Sequence, residues 1–385
     1  MKKIVVVGGG PAGMMAAYAA AANGGLITLI DRNDKLANKL LLTGNGKCNY
    51  SNEDMSFEYY NFDETHPFAE IINKYNPLWL ERFFEEKGML TYKKENLLYP
   101  KSEKATSVKD LLEKLLADEK INIICGNKVV NVSKDSNEYT LTLEDSREIK
   151  ADRLIIATGG KAYPSTGSDG GGYRLARTLG HKVEFTYPVL TRLISKDKGL
   201  TKMGGVRIKA LVKAIVNDEE VAKENGEIQF TKEGLSGICI FNLSRFISKP
   251  LEEKCKCQVA IDFVPEMSKE ELAVILNRQE DVETFLRINF GEKTADLIND
   301  KLINHDYVEA IKNLLINIDD HDSFSNAQVT KGGVNINEVD GNLESRISQG
   351  LYFAGEVLDV DGKCGGYNLH WAFVSGYQAG INSAK

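Results

Sequence analysis

The residues that point to chemistry stand first at a strand-to-helix turn. Ile4, Val5, Val6 and Val7 run into Gly8-Gly9-Gly10-Pro11-Ala12-Gly13, and an Ala- and Met-rich stretch follows to residue 22. The four apolar β-branched residues read as a buried parallel strand, and the stretch after Gly13 reads as a helix. Gly8 permits the tight turn, Gly10 lets a pyrophosphate approach the backbone, and Gly13 lets helix and strand pack closely. Pro11 and Ala12 open the helix, whose N-terminal N–H groups and dipole favour phosphate. Leu26 to Ile30 reads as a second strand ending at Asp31, about where a ribose-binding carboxylate belongs. Asp31 also reads as a plain helix cap or surface acid.

A matching signal lies near the other end. Leu351-Tyr352-Phe353 leads into Ala354-Gly355-Glu356, and after Asp361 the stretch Gly365-Gly366-Tyr367-Asn368-Leu369 precedes a helix expected to begin near His370. Between the two, Asp152 to Ile156 reads as a strand running into Ala157-Thr158-Gly159. That short motif resembles the second cofactor contact of FAD proteins on this fold, although alone it also reads as a β-turn. Gly355-Glu356 resembles the third, where an acid binds the ribityl chain or orients the pyrophosphate. Contacts from both ends of the chain favour a long dinucleotide, FAD. No second strand–GxGxxG–helix unit occurs, so no built-in NAD(P)H domain is expected. The glycines from Gly167 to Gly172 follow a Pro-containing loop.

The elements that must position these residues divide the chain. With 385 residues, two or three domains are expected. The fold class is α/β, a Rossmann-like FAD-binding domain of the two-dinucleotide-binding-domain type. It covers 1–186 and 325–385 and is split by a β-barrel-like domain at 187–264 and a small helical subdomain at 265–324. Helices are expected from Pro67 to Leu90 and over 106–118, and strands over 121–132 and 139–143. Short β runs fill 187–263. Ser268 with Glu271 is a capping-box signature, and Val308, Ile311, Leu314, Leu315 and Ile318 repeat at helical spacing.

Composition excludes several classes. No apolar run reaches the roughly 18 residues of a membrane helix. The run after Lys3 merges into the glycine motif and is read as a strand, not a signal peptide, so the expected location is cytoplasmic. Six cysteines form no CxxC pair, and five histidines show no metal-binding spacing, so no metal is expected. The net charge of −7 disfavours bulk nucleic-acid binding. Lys196, Lys198, Lys202, Arg207, Lys209 and Lys213 nevertheless make a local cationic stretch, read more simply as solvated lysines on strand faces.

Taken together, the motifs resemble the HI0933-like flavoproteins, also called the BaiN family and often described as NAD(P)/FAD-dependent or aminoacetone oxidases. The resemblance spans nearly the whole chain. It rests on Thr43-Gly44-Asn45-Gly46-Lys47-Cys48-Asn49, Tyr99 to Ser102, Ala157 to Pro164, Thr166 to Tyr173, Gly234 to Gly237, Gly332-Gly333-Val334, and Gly355 to Gly376. It implies that Thr43, Gly44, Gly46, Lys47 and Cys48 lie along the flavin. Arg32, Lys39, Asn49, Val130, Asp361, Gly366, Tyr367, Asn368 and Leu369 complete the expected cofactor contacts. The segment from Gly167 to Gly172 also resembles fumarate reductase flavoproteins, more distantly.

The expected activity is hydride transfer from transiently bound NAD(P)H, through the flavin, to an activated C=C bond or related acceptor. Alternatives are dihydrouridine formation in ribosomal RNA, amine oxidation, and a non-catalytic redox sensor. Candidate catalytic groups are Cys48, Cys364, His370 and Lys47, with Tyr367 a further acid. A thiol beside a helix N-terminus can have a lowered pKa. Both cysteines read equally well as small buried residues, and His370 as a helix-start residue. The partner is a small molecule or ribosomal RNA, and the oligomeric state is open.

Overall fold

The computed structural model describes residues 1–385. The chain forms two compact units, one of residues 1–186 with 329–385 and the other of 187–328.

The first unit is built on a five-stranded parallel sheet. Its order is Leu351–Phe353, Arg153–Ile156, Lys3–Val7, Leu26–Ile30 and Asn122–Ile124. The strand from the C-terminal motif therefore lies one strand away from the N-terminal one. The three strands at the C-terminal-motif side are buried on both faces over residues 4–7, 154–156 and 351–353, whereas the edge strand Asn122–Ile124 is largely exposed. The Ala-rich helix Pro11–Ala22 packs along the C-terminal helix Tyr367–Ala384. Small residues make that contact close: a Cβ at Gly376 would fall 2.2 Å from the Ala12 carbonyl oxygen.

Helices Pro67–Lys74 and Pro77–Glu86 pack on the other side of the C-terminal helix, as the apolar spacing predicts. Trp79 stacks on Phe83, and Phe84 meets Phe373 edge-on. A three-stranded antiparallel meander follows over Val129–Asp135, Glu138–Leu143 and Glu148–Ala151. Its first strand carries a bulge at Val130, between Val129 and Asn131.

The second unit contains a seven-stranded antiparallel sheet that begins with Leu314–Ile318 and ends with Asp320–His321. Only Asp319 separates those two strands in the chain. The sheet therefore curls enough to bring its two edge strands close at that point. Helix Ile238–Glu252 packs against six of its strands and buries Ile240, Leu243 and Ile247. Helices Lys269–Leu276, Val282–Phe290, Glu292–Asp300 and Tyr307–Lys312 share one apolar core with the sheet. The capping box of Ser268 and Glu271 is present.

Two expectations are corrected. Residues 314–318 are a strand, not a helical repeat. Their burial alternates strictly, and they pair with Cys257–Asp262. The β-rich stretch 187–263 contains a 15-residue helix, Ile238–Glu252. No helix of the structure is long and apolar enough to cross a membrane. No group of three or more His, Cys, Asp or Glu is placed to hold a metal ion.

Candidate functional site

The glycine turn sits at the carboxyl edge of the parallel sheet, where ligands of open α/β sheets bind. Gly8 has φ +108° and donates its N–H to the Ile30 carbonyl at 2.8 Å. Gly13 has no room for a side chain, since its Cβ would fall 1.8 Å from the Gly8 carbonyl oxygen. Gly10 is different. Its φ of −79° and ψ of −179° suit any residue, and a Cβ there would meet no protein atom within 4 Å. Protein packing does not require glycine at this position; open space for a ligand does. The helix that follows has Pro11 in its first turn and no side-chain cap, which leaves its first N–H groups available to an anion.

Asp31 ends the second strand, and burial pushes its carboxyl up while N–H bonds from Asn33 and Gly9 pull it down. Its Oδ2 accepts from Gly9 N–H at 2.6 Å and its Oδ1 from Asn33 N–H at 2.7 Å. Arg32 pairs with Asp169, which also takes Lys128 at 2.6 Å. The loop from Gly167 to Gly172 is thereby fixed beside the second strand, and Asn33 Nδ2 donates to the Thr166 carbonyl at 3.0 Å. The Val130 bulge drops that residue from the ladder to the neighbouring strand, and its carbonyl accepts from Arg174 at 3.3 Å.

Glu356 is anchored through both carboxylate oxygens. Its Oε2 lies 2.7 Å from Lys39 Nζ, and its Oε1 accepts from the Thr330 N–H at 2.8 Å. Gly355 is held by Ser375 Oγ and Trp371 Nε1 of the C-terminal helix, and a Cβ on it would lie 2.8 Å from Ala12 Cβ. Ala157, Thr158 and Gly159 follow the central strand; the Thr158 hydroxyl is buried without a partner. Thr330, absent from the sequence-level candidates, accepts from the Lys161 and Ala162 N–H groups at 2.7 and 3.0 Å and so shapes this turn. Nothing local in the sequence marks it, because its partners lie about 170 residues away.

The segment Thr43 to Cys48 runs out of a kinked 3-10 stretch, Leu40–Gly46, with Gly44, Asn45, Gly46 and Cys48 at positive φ. It leads into Asn49, whose amide, oriented with nitrogen toward the carbonyls, donates to Ser51 and Leu98 and accepts from Gly366 N–H. Asn52 Nδ2 donates to the Gly365 carbonyl at 3.0 Å. The loops holding Cys48 and Cys364 are therefore brought together. Asn368 closes its own loop on Gly362 and Lys363, and Leu369 packs against the core of this unit. Asp361 is fully buried, with its N–H on Asn61 Oδ1.

The surroundings of three catalytic candidates favour the simpler of the two readings that each admits. Cys48 is sealed from solvent, and burial pushes its thiol up to about 12, opposed only by a bond with Thr43. It matches the small buried residue of the two readings, with burial favouring the neutral thiol. His370 is also sealed, its Nδ1 2.9 Å from Ser51 Oγ, and burial pulls it down to about 3. A neutral imidazole of that kind supplies no proton near neutral pH. Lys47 points outward, half exposed, with its ammonium 2.7 Å from Glu103. Tyr367 is engaged as well: its hydroxyl donates to the Asp54 carbonyl at 3.1 Å. Cys364 remains half-buried beside the Gly365-Gly366 turn.

The open cradle at Gly10, the uncapped helix start, the carboxylate of Asp31 and the unpartnered Thr158 hydroxyl fit a dinucleotide. Comparison with known proteins agrees with this arrangement. A family model described as HI0933-like protein Rossmann domain matches residues 2–382. A 3-dehydro-bile acid delta(4,6)-reductase of Clostridium scindens is 36% identical, covering 100% of both chains. A ribosomal RNA dihydrouridine synthase of Haemophilus influenzae is 26% identical, covering 99% of this chain and 98% of that one. Among solved structures, the 3-ketosteroid-delta4-(5alpha)-dehydrogenase of Rhodococcus jostii in complex with 4-androstene-3,17-dione shares the fold. Its TM-score is 0.53 at 14% identity, over 100% of this chain and 97% of that one.

Proposed function

The chain belongs to the HI0933-like family and is an FAD-dependent oxidoreductase, and we propose that it transfers hydride from NAD(P)H to an activated C=C bond of a small molecule. In the net reaction NAD(P)H gives a hydride, a proton comes from the protein or solvent, and the C=C bond becomes CH–CH. FAD, when bound, supplies the two-electron carrier between donor and acceptor. The backbone at Gly8 to Gly13 would hold its pyrophosphate and Asp31 its adenosine ribose. Glu356, oriented by Lys39 and Thr330, would face the ribityl side.

The acceptor then needs a proton at one carbon. Cys48 and His370 are sealed, and Lys47 is turned to solvent on Glu103. Among the four groups this reading assigns the proton to Cys364, which is half-buried on the loop before the C-terminal helix.

The observation that supports the acceptor class is the full-length 36% identity to a protein named as a bile acid reductase. The relatives named for ribosomal RNA stand at 26%. Two of the six cations in the stretch that could meet RNA phosphates are also engaged: Arg207 pairs with Glu227 at 3.0 Å and Lys213 with Glu220 at 2.9 Å. Neutralised side chains release fewer counterions and add less to RNA binding.

The test is an anaerobic half-reaction. The holoprotein is reduced with NADH or NADPH, then mixed with either a conjugated 3-oxo steroid acid or unfolded ribosomal RNA, and the flavin absorbance is followed. The proposal expects the enone to restore the oxidised spectrum. Reoxidation by RNA alone would overturn it in favour of uridine reduction.

A further inference from the structure

Tyr173 carries a hydroxyl that the protein does not use. The residue lies in the first turn of helix Gly171–Thr178 and is 2% exposed, and its hydroxyl is buried with no hydrogen-bond partner. Leaving such a group dry costs free energy unless something else satisfies it. Its surroundings locate it. The preceding residue, Gly172, packs so tightly on the strand end that a Cβ would fall 2.0 Å from Thr158 Oγ1, itself buried and unpartnered. Burial holds the Tyr173 phenol well above its ordinary range, and the carboxylates of Glu356 and Asp359 push the same way. The hydroxyl is therefore a neutral donor within electrostatic reach of Glu356 and Asp359.

We propose that Tyr173 is a cofactor-binding residue whose hydroxyl hydrogen-bonds bound FAD, with Thr158 as the second hydroxyl of the same wall. The inference rests on the FAD reading above. It predicts a split that an ordinary core tyrosine does not show. In the apoprotein, Tyr173→Phe removes an unsatisfied polar atom and keeps the ring, so thermal stability is unchanged or higher. In the holoprotein the same change removes a hydrogen bond to the ligand, so FAD affinity falls about tenfold.

The experiment measures FAD dissociation by flavin fluorescence and apoprotein Tm by scanning fluorimetry, for the parent chain and for Tyr173→Phe. Weaker FAD binding with Tm held or raised supports the proposal. Unchanged affinity overturns it. A Tyr173→Phe apoprotein that melts lower or fails to fold also overturns it, because the hydroxyl would then have a protein partner. If the parent chain itself does not bind FAD, the FAD reading fails, a result distinct from failure of the Tyr173 assignment.

Discussion

Gly10→Ala and Gly13→Ala place the same methyl group on one turn and have opposite consequences. At Gly10 the backbone angles suit alanine, and the methyl group enters empty space. Alanine gains about 0.4–1 kcal/mol by restricting the unfolded chain and loses a similar amount as a poorer N-cap. The apoprotein Tm should therefore move by no more than a degree or two. The added carbon occupies the approach to the backbone, where each charge-assisted N–H bond to phosphate contributes about 1.5–3 kcal/mol. Losing one such bond weakens FAD about 10- to 100-fold.

At Gly13 the methyl carbon would sit 1.8 Å from the Gly8 carbonyl oxygen, so helix and strand must separate. Overpacking of that kind costs about 3 kcal/mol and lowers Tm by roughly 5 °C or more, with or without cofactor. Scanning fluorimetry of the apoproteins and FAD titration separate the two effects. Unchanged FAD affinity in Gly10→Ala, or an apoprotein Tm that falls as far as in Gly13→Ala, refutes the reasoning.

Other consequences follow from burial and pairing. Cys48→Ala should leave flavin reduction and reoxidation rates unchanged between pH 6 and 9, as read by stopped flow. Since the folded thiol ionises near 12 and the unfolded one near 9, Cys48 lowers stability only as pH rises from about 9 toward 12; denaturant titration of Cys48→Ala should show a shallower alkaline loss. His370 has the opposite sign. Its folded value of about 3 lies below the ordinary 6.5, so stability is intact above about 6.5 and falls toward pH 3 by about 1 kcal/mol per unit. His370→Gln should unfold at lower pH than the parent while keeping its pH–rate profile. Glu356→Gln keeps a carbonyl for the Thr330 N–H but removes the negative charge paired with Lys39, so FAD binding should weaken about tenfold with a Tm change of a few degrees at most.

The strand–glycine–helix start and the Gly355-Glu356 turn were legible in the sequence because each is local: a run of β-branched residues, a turn, and a run of helix formers. The helix Ile238–Glu252 was not. Ile, Cys and Phe open it and Pro250 lies inside it, a composition that reads as strand. Packing within the curled sheet overrides that propensity. Residues 314–318 fit both periods by accident, since Val308, Ile311, Leu314 and Leu315 mimic a helical face. The alternation of Leu314, Ile316 and Ile318 is what pairing selects. The catalytic candidates were undecided in the sequence for a different reason. Whether His370 is exposed depends on Ser51, 319 residues away, and whether Lys47 faces inward depends on Glu103. Burial at that range leaves no trace in a short motif.

The central claim is that FAD held between the two end motifs carries electrons from NAD(P)H to a carbon–carbon double bond. Its most direct test is anaerobic turnover of the holoprotein with NAD(P)H and a conjugated 3-oxo steroid acid, followed by mass spectrometry of the acceptor. The account predicts an acceptor that gains two hydrogens in step with the NAD(P)H consumed. Bound FAD with no NAD(P)H oxidation and an unaltered acceptor would contradict it.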